Sequence, residues 1–232
     1  MAVSSSAAQR SPRRARTFAT KHEAILDAAM TIVIGDGLVG MTLGKVAKHL
    51  DVAVGGLYRY FPSKEDLVMA LQRRAVERFG DRLANHLPTK PRAGRPVATL
   101  RHALAPFAFY AASASADPLE HRLMDIMLSN LTPSLDDAQA RIVEGALGPI
   151  LDQAQRGLEL ARETGALAPG DGRQRTLLLW SATHGLGHLR SRDRLEQAPY
   201  RVKALLSAMF ESLLVGFGAD PKHARAAARR AV

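Results

Sequence analysis

Three short stretches carry side chains whose types and spacing suit them to chemistry. In Gly55-Gly56-Leu57-Tyr58-Arg59-Tyr60, followed by Pro62-Ser63-Lys64, two bare positions precede two phenols and a guanidinium, and an ammonium follows. An arginine fork bonds guanine O6 and N7 together, worth about 1–3 kcal/mol of base discrimination, while tyrosine hydroxyls and lysine hold phosphates. Glycines at the head of such a segment let the backbone itself approach a partner closely. This set suits nucleic-acid contact. The plain alternative is the polar end of a small amphipathic helix.

The second stretch, His184-Gly185-Leu186-Gly187-His188, sets two imidazoles at i and i+4. Two histidines alone do not make a zinc site, and the metalloprotease pattern needs a glutamate where Gly185 stands. No metal is therefore expected, and His184, one turn after Trp180, reads as a polar group of a core or pocket. The third, Gly35-Asp36-Gly37-Leu38-Val39-Gly40, has the spacing of a dinucleotide loop. Helical periodicity before it, no acid at 52–64 and no second strand after it oppose that reading. It reads as a turn between helices. No nucleophile–base set converges elsewhere, so neither enzymatic activity nor a cofactor is expected.

These residues need elements to position them. Ile25, Ala28, Ala29, Ile32 and Val33 recur with helical period up to Gly35-Asp36-Gly37. Thr42 caps a second helix with Leu43, Val46, Ala47 and Leu50 on one face, Asp51-Val52 forms a turn, and a third helix runs from about Ala53 to Phe61. Pro62 ends it. Ser63, with Asp66 three residues on, opens a fourth helix through Leu67, Leu71, Ala75, Phe79 and Leu83. The second and third form a helix-turn-helix. Beyond the Pro-rich 87–96 the periodicity predicts helices at 97–113, 118–130, 136–165, 172–190 and 199–217, with no strand-like alternation. The fold class is all-α.

The 232 residues suffice for one or two domains, and the 47% hydrophobic content is that of an ordinary globular protein. The absence of cysteine removes disulfides and thiolate chemistry and fits a cytoplasmic protein; no apolar run approaches the roughly 18 residues that span a bilayer. The net charge of +10 sits at the ends: residues 1–22 carry five basic side chains and residues 221–232 four, neither segment holding an acid. Basic arms attract phosphate backbones. A transit peptide shares the composition of the first arm and is its competing reading, while the lack of a following apolar core opposes a secretory signal. The expected layout is a disordered basic arm at 1–19, a helix-turn-helix domain at 20–80, a larger helical domain at 81–220, and a basic tail at 221–232.

Residues 21–67 resemble the DNA-binding domain of the tetracycline-repressor-like (TetR) family of bacterial regulators. The resemblance rests on "AILDAAMTIV", Gly37, "MTLGKVAKHL" and "GGLYRYFPSKEDL", with a weaker match at "LLLWSATHGLGHL". It implies a homodimer with a three-helix reader, a connecting fourth helix and a larger effector-binding domain. By motif position it implies that Thr42 meets a phosphate, with Lys45 as a second contact. It further implies that Val54, Gly55, Gly56, Tyr58, Arg59 and Tyr60 face the major groove, and that Lys64 meets phosphate. Ala53, Val54 and Gly56 depart from the family's more polar pattern, which removes hydroxyl contacts from those positions.

In the larger domain, Leu205, Leu206, Met209, Phe210 and Leu213 form a stripe suited to a dimer interface of two helices per subunit. Phe107, Tyr110, Met124, Met127, Trp180 and His184 are candidates for lining an effector cavity, with plain core as the competing reading. The expected function is a dimeric regulator, a repressor, that releases double-stranded operator DNA when a small apolar or amphipathic effector binds. A helical enzyme and a nonspecific nucleic-acid-binding module are the competing classes.

Overall fold

The computed structural model describes residues 12–92, 94–129 and 137–232. Among these there is no strand, and the fold class read from the periodicity holds. The chain divides into two compact units, one up to Arg74 and one from Ala75 onward, so the boundary falls within the helix Lys64–His86, a little before the expected residue 80.

The first unit holds α1 (Pro12–Gly40), α2 (Leu43–His49), α3 (Val54–Leu57) and the start of α4 (Lys64–His86). Ile25, Leu26, Ala29 and Val33 of α1 pack as the spacing demands, and Met41, Val46, Leu57, Phe61, Leu67 and Leu71 complete a buried core. Residues 12–19, expected in a disordered arm, are instead helical. Proline is well placed at a first helical position, and arginine and alanine favour the turns that follow. Residues 1–11 of that arm lie outside the described residues. At Gly37 the backbone turns to φ 73, which interrupts α1 where the Gly-Asp-Gly turn was expected.

The Thr42 hydroxyl accepts from the Lys45 N–H at 3.2 Å and so starts α2, while Ser63 Oγ accepts from the Asp66 N–H at 3.0 Å and starts α4. By contrast α3 spans four residues, shorter than the 53–61 expected, and Ala53 offers it no side-chain cap. Two glycines and a missing cap together withdraw about 2–3 kcal/mol from a helix. The burial of Leu57 and Phe61 at its end anchors the segment.

The second unit contains α5 (Pro96–Ala116), α6 (Pro118–Ser129), α7 (Asp137–Glu163), α8 (Gly172–Gly187), α9 (Val202–Gly216) and α10 (Pro221–Ala231). Leu100, Leu104 and Phe107 of α5, Leu158 of α7, Leu179 of α8 and Phe210 of α9 share one core. The segment expected as a basic tail at 221–232 is α10, a packed helix. Ala224, Ala227 and Ala228 are fully buried on one face, and the cations stand on the other. Asp220 caps it by accepting from the N–H groups of Lys222 and His223, bonds that hold its carboxyl below the usual aspartate value, that from His223 most.

A second correction concerns α9. Leu206 and Phe210, expected at a dimer interface, point into this chain's own core with Val202 and Leu214, one helical turn apart in succession. Leu205, Met209 and Leu213 are half-buried. Arg175, 8% exposed, locks the ends of three segments together: Nη1 donates to the Ala168 carbonyl at 2.9 Å, and Nη2 to those of Pro169 at 3.2 Å and Phe217 at 3.4 Å. Its guanidinium lies 5.1 Å from the Phe217 ring centroid.

Candidate nucleic-acid interface and effector region

The candidate contact surface is built on α3. Leu57 is buried and pins the short helix, which leaves Val54 42% and Tyr58 51% exposed on the outer side. Gly55 and Gly56 are also exposed, and a Cβ placed on either meets no atom of the chain within 4 Å. The packing of this domain therefore does not demand glycine there. Arg59 folds back on its neighbour, with Nη2 donating to Tyr60 Oη at 3.2 Å and the guanidinium 5.2 Å from that ring's centroid. Tyr60 in turn stacks on Phe18 of α1 at 4.6 Å.

Thr42 spends one lone pair on the helix cap and keeps its O–H, so it remains a donor for a phosphate oxygen. The two lysines are tethered to the end of α1: Lys45 Nζ pairs with Asp36 Oδ2 at 2.6 Å, and Lys64 Nζ donates to the Val39 carbonyl at 3.0 Å. Both ammonium groups stand beside the starts of α2 and α4, and each is engaged by a partner in its own chain.

The helical start of α1 adds residues that the motif reading did not assign. Arg13, Arg14 and Lys21 line one groove with Arg59, floored by Phe18 and Tyr60. Four cations thus surround an aromatic stack. The signal was present in the sequence, because Phe18 and His22 extend the buried stripe of Ile25 and Ala29 backwards in the same helical register.

In the second unit, Phe107, Tyr110, Met124 and Trp180 do converge, on an apolar cavity of about 40 Å³. Pockets that enclose a drug-sized ligand run to several hundred Å³, so the cavity must widen to hold one. The Met127 side chain lies outside the described residues. His184 is not on the cavity wall. It stacks on Trp180 with ring centroids 5.6 Å apart, and its Nδ1 is 2.8 Å from Tyr110 Oη. Tyr110 also donates to Asp125 Oδ1 at 3.1 Å. Burial first, and then the Asp125 charge, push the Tyr110 phenol far above its usual value. Burial lowers the His184 and His121 imidazoles, against the pull of Asp125. A ring of polar groups therefore sits behind the apolar cavity, with Tyr110 common to both.

Residues 25–71 match the family model described as bacterial regulatory proteins, tetR family. The match bears out the resemblance read from the motif. The chain is 40% identical over 65 residues to the HTH-type transcriptional repressor KstR of Rhodococcus jostii, covering 28% of this chain and 31% of that one. It is 31% identical over 78 residues to the fatty acid metabolism regulator protein of Bacillus subtilis, covering 34% of this chain and 40% of that one. The matching stretch thus spans less than half the length of these curated relatives. Among solved structures, RolR in complex with resorcinol superposes with a TM-score of 0.62 at 18% identity, covering 94% of this chain and 97% of that one. FadR from Bacillus subtilis in complex with stearoyl-CoA does so with 0.61 at 18% identity, covering 84% and 98%. The chain shares the all-helical fold of these structures.

Proposed function

We propose that this tetR-family helix-turn-helix protein is a dimeric transcriptional repressor that leaves its operator when a small effector enters the second unit. The observation that carries the reading is the exposed start of α3, bare at Gly55 and Gly56 and followed within one turn by Tyr58 and Arg59. Arg59 turns from Tyr60 to a guanine edge, Tyr58 and Lys64 grip phosphates, and the groove of Arg13, Arg14 and Lys21 tracks the backbone. No chemistry of turnover is involved.

A homodimer supplies two such heads, whose spacing must match about 34–36 Å along the duplex. With Leu206 and Phe210 occupied in the core, the interface falls on the outer faces of α8 and α9. Leu178, Ser181 and Gly185 are exposed on the first, Ala208 and Val215 on the second, with Leu205 beside them. Gly185 and Gly187 have open space around them, so they fit the close approach of a second helix.

The effector is an apolar or amphipathic molecule that widens the cavity of Phe107, Tyr110, Met124 and Trp180. Two similar structures carry resorcinol and stearoyl-CoA, each with an apolar part and polar groups. Its binding shifts the population toward dimers with mismatched heads, and α4 is the element common to both units. Selection of bound fragments from random DNA tests the proposal. An inverted repeat is the expected result, and binding without sequence preference would replace it with a nonspecific module.

A further inference from the structure

We propose that Asp125, His184 and His188 form a binding site for a divalent transition-metal cation of zinc-like preference, distinct from the apolar cavity and from the DNA-reading head. One ligand atom from each of the three lies within 4.8 Å of the others. His184 and His188 share a face of α8 at i and i+4, and Asp125 comes from α6. The two Nε2 atoms are 3.4 Å apart. Nitrogens held at 2.0–2.1 Å by a tetrahedral cation are separated by about 3.3–3.4 Å, so the imidazoles already have the spacing of two ligands on one ion.

The distribution of protons points the same way. Tyr110 has a single O–H, and the Asp125 carboxylate can only accept, so the 3.1 Å contact between them uses that proton. The 2.8 Å contact of Tyr110 Oη with His184 Nδ1 must then be an N–H of the imidazole donating to the phenol oxygen. A neutral ring protonated at Nδ1 carries its lone pair on Nε2, toward His188. His121 repeats the arrangement. Ser113 Oγ donates its proton to the Tyr110 carbonyl at 2.7 Å, so His121 Nδ1–H donates to Ser113 Oγ at 2.8 Å. The bare Nε2 of His121 then lies 3.9 Å from Asp125 Oδ1, a lone pair facing an anion. A cation beside Asp125 turns that opposition into attraction.

These hydroxyl partners do for the histidines what outer partners do at metal centres: they fix the tautomer and the ring plane. The site also has a way in, because His188 is exposed and the Asp125 side chain is 27% exposed. Two imidazoles and one carboxylate suit zinc, cobalt or nickel and disfavour magnesium and calcium, which prefer an all-oxygen shell. Three protein ligands leave a coordination position for water or for a chelating group of a small molecule. The i, i+4 histidines were visible in the sequence. Their partner Asp125 was not, because it joins them only through the packing of α6 on the α5 and α8 side chains.

The test is a titration of the untagged full-length chain, stripped with EDTA, with Co²⁺, following the visible d–d absorption and the fluorescence of Trp180. This is the only tryptophan of the chain and it stacks on His184, so a paramagnetic ion bound there quenches it. A single Co²⁺ is expected to bind with quenching, to be displaced by Zn²⁺, and to ignore excess Mg²⁺. His188→Ala and Asp125→Asn are each expected to weaken binding more than about tenfold, with far-UV circular dichroism unchanged, while the surface control His223→Ala binds as the parent. No quenching by Co²⁺ up to millimolar concentration, or parental affinity in both ligand variants, overturns the site. The titration needs no DNA, so its outcome is separate from that of the operator selection.

Discussion

Replacing Gly56 by alanine sets stability and DNA affinity against each other. A methyl at this position meets nothing within 4 Å of the free chain, and the backbone there is not in the left-handed region. The substitution therefore improves α3 by the full propensity difference, about 1 kcal/mol. For a unit of this size that corresponds to a rise of about 4–8 °C in the melting temperature of the first unit. On the operator the same methyl points outward, into the space that the backbone needs if it is to approach the groove. Overpacking by a methyl costs about 1–3 kcal/mol, which weakens binding by about 5–150-fold. Differential scanning calorimetry and fluorescence anisotropy with the selected operator measure the two quantities on one preparation. Higher stability with weaker binding is the expected pair. A variant that melts higher and binds as tightly or more tightly would show that the glycines merely weaken the helix, and the close-approach argument would fail.

The other expectations follow from single contacts. Arg59→Ala is expected to relax base preference at one position per half-site, whereas Lys64→Ala weakens all sequences evenly, as a panel of operator variants would reveal. Removing both Arg13 and Arg14 should lower the slope of log affinity against log salt by up to about 1.8 per head, since each lost phosphate contact removes about 0.9; an unchanged slope would place the groove away from DNA. Leu178→Asp combined with Val215→Asp should yield a folded monomer in sedimentation, because both side chains are exposed in the chain. Phe210→Asp should instead unfold the second unit, since a charge buried without a partner costs several kcal/mol. A folded monomer from Phe210→Asp would return that residue to the interface.

Much of the fold was legible because it follows from periodicity that short-range physics enforces. Ile25 to Val33, Leu43 to Ala47 and the run from Leu67 to Leu83 are buried as their spacing demands, and Thr42 and Ser63 cap the helices they were expected to cap. Errors arose where one property hid another. Counting charge in 221–232 obscured Ala224, Ala227 and Ala228, whose small side chains make an apolar face that a hydrophobic stripe of leucines would have announced. On α9 the stripe was recognised, but a stripe does not say whether its own chain or a second copy covers it. Leu206 and Phe210 are covered by their own chain. Among the candidate residues, types and spacing singled out Arg59 and Lys64 but not the groups that hold them, the Tyr60 hydroxyl and the Val39 carbonyl, and the second of these depends on how the end of α1 lies beside the start of α4. The polar ring behind Tyr110 depends on side chains brought from α5, α6 and α8, and no local pattern encodes that meeting.

The Arg175 lock has a consequence for how the molecule opens. A terminal helix ordinarily frays, because its final turns can leave without disturbing anything else. Here the turn that launches α10 begins where the Phe217 carbonyl is held, by Arg175 on one side and by the Ala168 N–H at 3.0 Å on the other. Releasing α10 would strip the buried Ala227 and Ala228 face and loosen the anchorage of a guanidinium that also holds the chain entering α8. Such a guanidinium left without its acceptors is costly, so the two events become one. Amide hydrogens of α10 beyond Pro221 are then expected to exchange in step with those around Ala168, as a single cooperative opening unit, rather than as a loose end.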